Sequence, residues 1–243
     1  MSAITLGRGK TIGLVAAAAV ALSMVPVGGA QAAPSDCTIN SYSPTKLVVG
    51  ATTVKPTFKA NITGCEVAGW AFATAALPDL VATSDEPTLS VVPRKLANSD
   101  AGRKAAFVFA SGVDDAADDD LAELDTTFSL LRRSTFGSTV NASPEPAVKG
   151  SKIKIVGTLA RINLNGAKTL KYVGFAKAKV QLQFRAAGAT KYTTIKTVTA
   201  GTGGKVSTTS TAVKSGYWRL VFAGISTTAA ATSKADGVVV RAN

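Results

Sequence analysis

The sequence of 243 residues contains no histidine and only two cysteines, and both shortages restrict its chemistry. Without an imidazole, the chain cannot assemble Ser-His-Asp or Cys-His nucleophile systems, a His-Glu-x-x-His zinc site, or the usual proton shuttle near neutral pH. Aromatic residues make up only 6% of the chain, and no run after residue 33 is apolar enough to cross a bilayer. The sequence therefore favours a protein that is not an enzyme and has no membrane span in its mature part.

Residues 1–33 have the layout of a secretory signal peptide. Arg8 and Lys10 precede an apolar stretch that ends in small residues at Ala30 and Ala32, and this order is typical of cleaved leaders. A membrane anchor is the alternative, but the stretch is shorter than the roughly 20 strongly apolar residues of a spanning helix. We expect cleavage after Ala32 or the next residue, and a secreted, extracellular chain that is free or associated with the cell wall.

The two cysteines, Cys37 and Cys65, both follow the predicted cleavage site and therefore enter an oxidising compartment. An even pair in such a chain usually forms a disulfide, and closing this loop stabilises a domain by about 3–4 kcal/mol. A redox pair or a catalytic thiol is the alternative. It would need a nearby histidine, a Cys-x-x-Cys spacing or a basic helix start, and the sequence shows none of these.

The remaining chain of about 210 residues suits two domains of about 100 residues each. Residues 34–143 carry 9 Lys and Arg against 13 Asp and Glu, whereas residues 144–243 carry 16 against two. The segment 141–150 contains two prolines and a glycine between strand-like runs. We expect a first domain over 34–140, a linker over 141–150 and a basic second domain over 151–243.

Alternation of apolar and polar residues predicts β-strands throughout the mature chain, and no long stretch has the spacing of a helix. The pattern is clearest where Val180, Leu182 and Phe184 alternate with charged or amide side chains. Such strands have one face in a core and the other in water. We expect an all-β fold of two tandem immunoglobulin-like β-sandwich domains after a cleaved signal peptide.

The predicted strands are short and are separated by glycine-rich turns. In the first domain they are Lys46–Val49, Thr53–Ala60, Val67–Ala73, Thr88–Val92, Lys104–Ala110 and Thr126–Phe136. In the second they lie around Ile153 and Ile155, and at Val180–Phe184, Tyr192–Val198, Val206–Ala212, Trp218–Phe222 and Gly237–Arg241. Trp70 follows the second cysteine instead of lying between two bridging cysteines, which excludes an antibody-type first domain.

Three segments of the second domain carry a family resemblance: Gly174–Arg185, Lys191–Val198 and Ser215–Gly224. In these segments the domain resembles a bacterial immunoglobulin-like module of secreted actinobacterial proteins. The resemblance covers roughly the last 90 residues. It implies a β-sandwich that serves as a spacer, an adhesive unit or a carbohydrate-associated accessory, and it carries over no catalytic residue.

The excess of basic residues in the second domain predicts attraction to polyanions, with anionic cell-wall polymers or glycans as the expected partners. Nucleic acid is not expected as the physiological target, and the sequence does not identify a protein partner. Lysines on strands also keep sheets soluble and prevent edge pairing, which is the structural alternative. The candidate polyanion-binding residues are Lys152, Lys154, Lys177, Lys179, Arg185 and Lys191. Aromatic residues that would stack on sugars, unless they belong to the core, are Tyr172, Phe175, Tyr192 and Tyr217.

An acidic run over residues 114–125 is the other candidate site. Its carboxylates, Asp114, Asp118 and Asp120 foremost, offer oxygen ligands for Ca²⁺. The run lacks the glycine that an EF-hand needs at its sixth position, and repulsion within such a run favours a solvated loop. The sequence thus indicates a secreted, non-catalytic binding or structural module of the cell envelope. A calcium-binding module is the second hypothesis, and a wall-polymer hydrolase or its accessory is the third.

Overall fold

The computed structural model describes residues 3–6, 10–13, 36–77, 79–113, 121–137, 140–165 and 169–242. In this part of the chain the regular structure is almost entirely β-strand, with three short 3₁₀ turns and no α-helix. The all-β prediction is confirmed. None of the described helical segments is long and apolar enough to cross a membrane.

The described residues of the first half of the chain form ten strands. They are β1 (Ala3–Leu6), β2 (Lys10–Gly13), β3 (Thr38–Ser43), β4 (Lys46–Val49), β5 (Lys59–Thr63), β6 (Val67–Thr74), β7 (Ala82–Thr83), β8 (Gly102–Gly112), β9 (Ala122–Arg132) and β10 (Ser134–Thr135). The strands β1 and β2 form an antiparallel pair within the predicted leader, whose other residues lie outside the described ranges. Cleavage of that leader stays a prediction.

The described residues of the second half form twelve strands. They are β11 (Asn141–Ser143), β12 (Ala147–Val148), β13 (Lys152–Thr158), β14 (Ala160–Asn163), β15 (Lys171–Gly174), β16 (Lys179–Ala186), β17 (Thr193–Thr199), β18 (Lys205–Thr211), β19 (Gly216–Phe222), β20 (Ala231–Thr232), β21 (Asp236–Val238) and β22 (Val240–Arg241).

The chain divides into two compact units, and each unit is built from three segments of the sequence. Unit 1 comprises Met1–Leu47, Thr53–Val92 and Arg103–Leu130, and unit 2 comprises Val48–Thr52, Pro93–Gly102 and Leu131–Asn243. The segment 141–150, expected as a linker, carries β11 and β12 and lies within unit 2. The last change from unit 1 to unit 2 along the chain falls at residue 131. The expected domain bounds stay a prediction.

Unit 1 is built on a five-stranded sheet of order β4-β9-β8-β6-β7 and a separate antiparallel pair, β3-β5. Its core contains a cluster of aromatic rings contributed by both sheets. The Phe72 ring centroid lies 5.3 Å from that of Tyr42, 4.5 Å from Phe58 and 5.6 Å from Phe128. These ring contacts join the two-stranded pair to one face of the larger sheet.

Unit 2 is a β-sandwich. One sheet has the order β11-β13-β18, and the other has the order β17-β16-β19-β20 with β21 also paired to β19. The buried apolar residues of both sheets form one core cluster, in which Ile153 and Ile155 of the first sheet pack with Val180 and Leu182 of the second. Burying each such side chain contributes about 1.5–3 kcal/mol, and this burial holds the sheets together.

The strand order of unit 2 is immunoglobulin-like, with three strands facing a sheet in which non-consecutive strands are neighbours. Between β11 and β12 the chain leaves the first sheet, because β11 pairs with β13 whereas β12 pairs in parallel with β22 in a separate two-stranded sheet. Pro144 and Pro146 lie at the bend between these two short strands. An additional sheet of order β10-β14-β15, which the sequence did not predict, extends from the end of β13.

Candidate functional site

The cations of residues 144–243 have almost no acidic residues available to neutralise them. This part of the sequence has 16 Lys and Arg but only two acidic residues, Glu145 and Asp236. The structure pairs these two carboxyl groups with each other through a side-chain hydrogen bond. Asp236 Oδ2 also accepts a 2.7 Å hydrogen bond from the Ala142 backbone N–H. The positive field of unit 2 is therefore not cancelled by ion pairs with these two groups.

Burial raises the pKa of Glu145 above its ordinary value of 4.5, and the charge of Asp236 and the hydrogen bond between the two carboxyl groups raise it further. The folded protein thus binds this proton more tightly than the unfolded chain does. The protonated Glu145 therefore contributes to the free energy of unfolding at low pH, and this contribution is lost as the pH rises through the raised pKa.

We expect Glu145→Gln to stabilise the protein at pH 7, because an uncharged amide does not repel Asp236. The gain is below about 1 kcal/mol, since solvent screens the pair. The difference disappears at a pH below the ordinary 4.5, and urea unfolding across pH 3–8 measures it. Glu86→Gln, which removes an exposed carboxyl from unit 1, is the control and changes little. A loss of stability in Glu145→Gln at pH 7 would contradict the expectation.

A row of arginine and tyrosine side chains covers the outer face of the sheet formed by β17, β16 and β19. The Arg219 guanidinium carbon lies 3.7 Å from the Tyr192 ring centroid. The Arg185 guanidinium carbon lies 5.3 Å from the same centroid and 4.5 Å from that of Tyr217. We call these four residues the arginine–tyrosine face.

The positions of these side chains follow from strand alternation and register. In β16, Val180 and Leu182 are buried in the core, so Gln183 and Arg185 have the alternate orientation toward solvent. The antiparallel register places Arg185 opposite Tyr217 and Gln183 opposite Arg219. Residues opposite each other across a strand pair are within side-chain contact, which brings the arginines and tyrosines together.

Hydrogen bonds fix the two guanidinium groups in place. Arg219 Nε donates to Gln183 Oε1 at 2.9 Å, and Arg185 Nη1 donates to the Ala189 carbonyl oxygen at 2.6 Å. Gln183 Nε2 in turn donates to Thr194 Oγ1 at 3.2 Å. A guanidinium has five N–H donors, so each arginine retains several for a ligand. Planar, prearranged guanidinium groups bind carboxylates, sulfates and phosphates through paired hydrogen bonds.

The structure does not gather the six predicted polyanion-binding residues into one site. Lys152 and Lys154 are exposed on β13, in the sheet opposite to that of Lys179 and Arg185. Lys179 and Arg185 lie near opposite ends of β16, and the usual rise per residue puts them about 20 Å apart along the strand. The other two predicted residues lie outside the strands, Lys177 in a turn and Lys191 before β17. Of the six, only Arg185 belongs to the arginine–tyrosine face.

The predicted aromatic residues divide between surface and core. Tyr192 and Tyr217 belong to the arginine–tyrosine face, whereas Phe175 packs edge-on against Phe222 at 5.6 Å. Tyr172 is 38% exposed and lies outside the arginine–tyrosine face. Arg219 was missed in the sequence, although its alternation with core residues in β19 gave the signal that would have found it.

Asp114, Asp118 and Asp120, predicted as calcium ligands, lie outside the described residues. Within the described ranges, no group of three acidic or cysteine side chains is arranged to hold a metal ion. The calcium hypothesis stays a prediction. The disulfide between Cys37 and Cys65, in contrast, is confirmed.

Unit 2 contains an apolar cavity of about 340 Å³ at the side of the sandwich where β17 and β18 lie. Its lining comprises Phe184, Ile195, Ser210, Thr211, Val213, Lys214 and Trp218. No carboxyl group is in this lining. The cavity therefore lacks the pair of acids that hydrolysis of a glycosidic bond requires.

The chain has distant structural neighbours among solved proteins. The fibronectin(III)-like modules of CbhA from Clostridium thermocellum share 14% identity with it, covering 85% of this chain and 94% of theirs, with a TM-score of 0.36. The D00-D0 domain of intimin shares 12% identity, covering 84% of this chain and 98% of its own, with a TM-score of 0.28. A candidate superoxide reductase from Thermotoga maritima shares 14% identity, covering 42% of this chain and 84% of its own, with a TM-score of 0.30.

No family model matches the chain, and no curated protein matches it. The TM-scores of the structural neighbours are low. The description of the fold therefore rests on the strand order and the core clusters of the two units.

Proposed function

We propose that the protein is a non-catalytic binding module that acts outside the cell and attaches to anionic cell-envelope polymers through the arginine–tyrosine face. The observation that carries this proposal is a pair of stacked, hydrogen-bonded arginines, Arg185 and Arg219, that are half-buried on the outer face of the sheet formed by β17, β16 and β19. The surrounding unit has a large excess of cations, which attracts a polyanion from a distance. The stacked side chains provide short-range contacts once the polymer arrives.

Two further features support a binding role. The disulfide is typical of chains that reach an oxidising compartment, as the predicted leader also implies. The absence of histidine removes most acid–base chemistry near neutral pH, and the apolar cavity of unit 2 has no carboxylates in its lining. A surface of fixed guanidinium and phenol groups recognises charge and planar shape without any bond being broken.

The test is the retention of the mature protein on isolated cell-wall fractions over a salt series. Retention of the parent falls steeply between low and moderate salt, because screening shortens the reach of the positive field. We expect the double variant Arg185→Gln with Arg219→Gln to bind about tenfold more weakly at low salt, since each lost ion pair between an arginine and an anionic group of the polymer costs about 0.5–1 kcal/mol.

Two matched double variants control for charge alone. Lys234→Gln with Arg241→Gln removes two exposed cations of unit 2 that lie outside the arginine–tyrosine face. Lys152→Gln with Lys154→Gln removes two cations from the opposite sheet. Both variants lose less affinity than the arginine double variant. An equal loss in all three would show that diffuse charge acts without this face, and salt-independent retention would contradict the electrostatic mechanism.

A further inference from the structure

Arg132 is a buried cation in unit 2 whose guanidinium is only partly satisfied. The residue is 6% exposed, and its Nε and Nη2 atoms donate to one acceptor, the Ile162 carbonyl oxygen, at 2.8 and 2.6 Å. Its Nη1 atom forms no hydrogen bond with a described residue. Among the described residues, the fully buried side-chain atoms without a hydrogen bond are three serine hydroxyls, and Arg132 Nη1 is not one of them. The N–H donors of Nη1 therefore face space that solvent can reach.

A second arginine, Arg161, lies beside the first. Arg161 Nη1 donates to Thr228 Oγ1 at 3.2 Å, and its guanidinium carbon lies 3.9 Å from the Phe175 ring centroid. Arg132 forms a backbone bridge with the same Thr228, which is 1% exposed. The strand register also places Arg161 opposite Ser134, which lies two residues after Arg132. The guanidinium of Arg161 thus contacts the buried threonine with which the backbone of Arg132 is paired.

No carboxylate among the described residues neutralises these two charges. Burial and the charge of Arg161 lower the pKa of Arg132 to about 10, and burial lowers the pKa of Arg161. A nearby carboxylate would shift both pKa values in the opposite direction. Buried charges without a partner are unfavourable, and two like charges add repulsion. An anion bound between the guanidinium groups would offset both effects.

We propose that Arg132, Arg161 and Thr228 form a binding site for one oxyanion group, a phosphate, sulfate or carboxylate. The free N–H donors of the two arginines supply charge-assisted hydrogen bonds. The Thr228 hydroxyl accepts from Arg161, so its own proton is available to donate to the anion. This site is separate from the arginine–tyrosine face, and its ligand is either a free ion or one anionic group of a larger molecule.

Thermal unfolding of the full mature protein with inorganic phosphate tests the site, at constant ionic strength set with chloride. We expect a saturable rise in Tm for the parent, because a ligand that binds only the folded state stabilises it. Arg161→Gln abolishes the rise, whereas the control Arg241→Gln, an exposed cation on β22, keeps it. Isothermal titration with phosphate measures one site per chain in the parent and none in Arg161→Gln.

The outcomes separate the proposal from general salt effects. A Tm that rises without saturation, or equally in Arg161→Gln, would overturn the site, because phosphate also stabilises proteins through exclusion from their surfaces. Retention on wall fractions then identifies the source of the anion. If phosphate competes with retention and Arg161→Gln weakens it, the group belongs to the polymer. If retention is unchanged while the Tm response is lost, the ligand is a free ion.

Discussion

Replacing Phe72 by alanine is expected to lower the free energy of unfolding of unit 1 by about 3–5 kcal/mol. Phe72 is 1% exposed, and its ring contacts those of Tyr42, Phe58 and Phe128. Truncation removes buried apolar area and leaves a cavity where the small sheet β3-β5 meets the larger sheet. A loss of this size is a large fraction of the stability of a domain of this length.

Urea unfolding followed by tryptophan fluorescence measures this effect in each unit separately. The chain has two tryptophans, Trp70 in β6 of unit 1 and Trp218 in β19 of unit 2. In a Trp218→Phe background, Trp70 alone reports the unfolding of unit 1. Phe109→Ala is the matched control, because Phe109 is only half-buried in the neighbouring strand β8. Equal losses in the Phe72 and Phe109 variants would show that the aromatic cluster has no special role.

The sequence predicted β13, β16, β17, β18 and β19 of unit 2 because residues alternate along these strands. In β16 and β19 every second residue enters the core, as with Leu182 and Leu220, and most residues between them are charged or polar. Where the alternation is broken, prediction failed. The strand β3 was missed because a register shift between Ile39 and Ser41 puts its buried residues, Ile39 and Tyr42, three positions apart.

The segment 141–150, expected as a linker, contains short strands that its composition did not indicate. Proline cannot donate a hydrogen bond to a strand neighbour, so two prolines indicated a connection. In the structure Pro144 and Pro146 lie between β11 and β12, where no hydrogen bond to a neighbouring strand is required of them. Composition thus identified the bend correctly but not the short strands on either side of it.

The candidate site was predictable in charge and only partly in position. The excess of cations, Arg185 and the two tyrosines of the arginine–tyrosine face were all found from the sequence. Arg219 was missed because its place beside Tyr192 depends on which strands are neighbours, and β16 and β19 are separated by two strands along the chain. Because the sequence does not show which strands are neighbours, Lys152 was grouped with Lys179, although they lie in different sheets.

The disulfide joins the ends of the antiparallel pair β3-β5, which has no other strand neighbour within the described ranges. Cys37 directly precedes β3, and Cys65 follows β5 after Gly64. Gly64 has a φ of +90°, and a side chain there would collide with the Asp36 carbonyl oxygen. Two-stranded sheets are marginally stable on their own. The covalent link therefore acts where the backbone hydrogen bonds are fewest.

The double variant Cys37→Ala with Cys65→Ala is expected to lower the free energy of unfolding of unit 1 by about 3–4 kcal/mol. The bridge closes a loop with a sequence separation of 28 residues, and without it the unfolded chain gains conformational entropy. Urea unfolding of the Trp218→Phe background measures the loss through Trp70. Reducing agent lowers the stability of the parent to the level of the variant and leaves the variant unchanged. A variant as stable as the oxidised parent would show that the strand pair holds without the bridge, because its aromatic contacts with the larger sheet suffice.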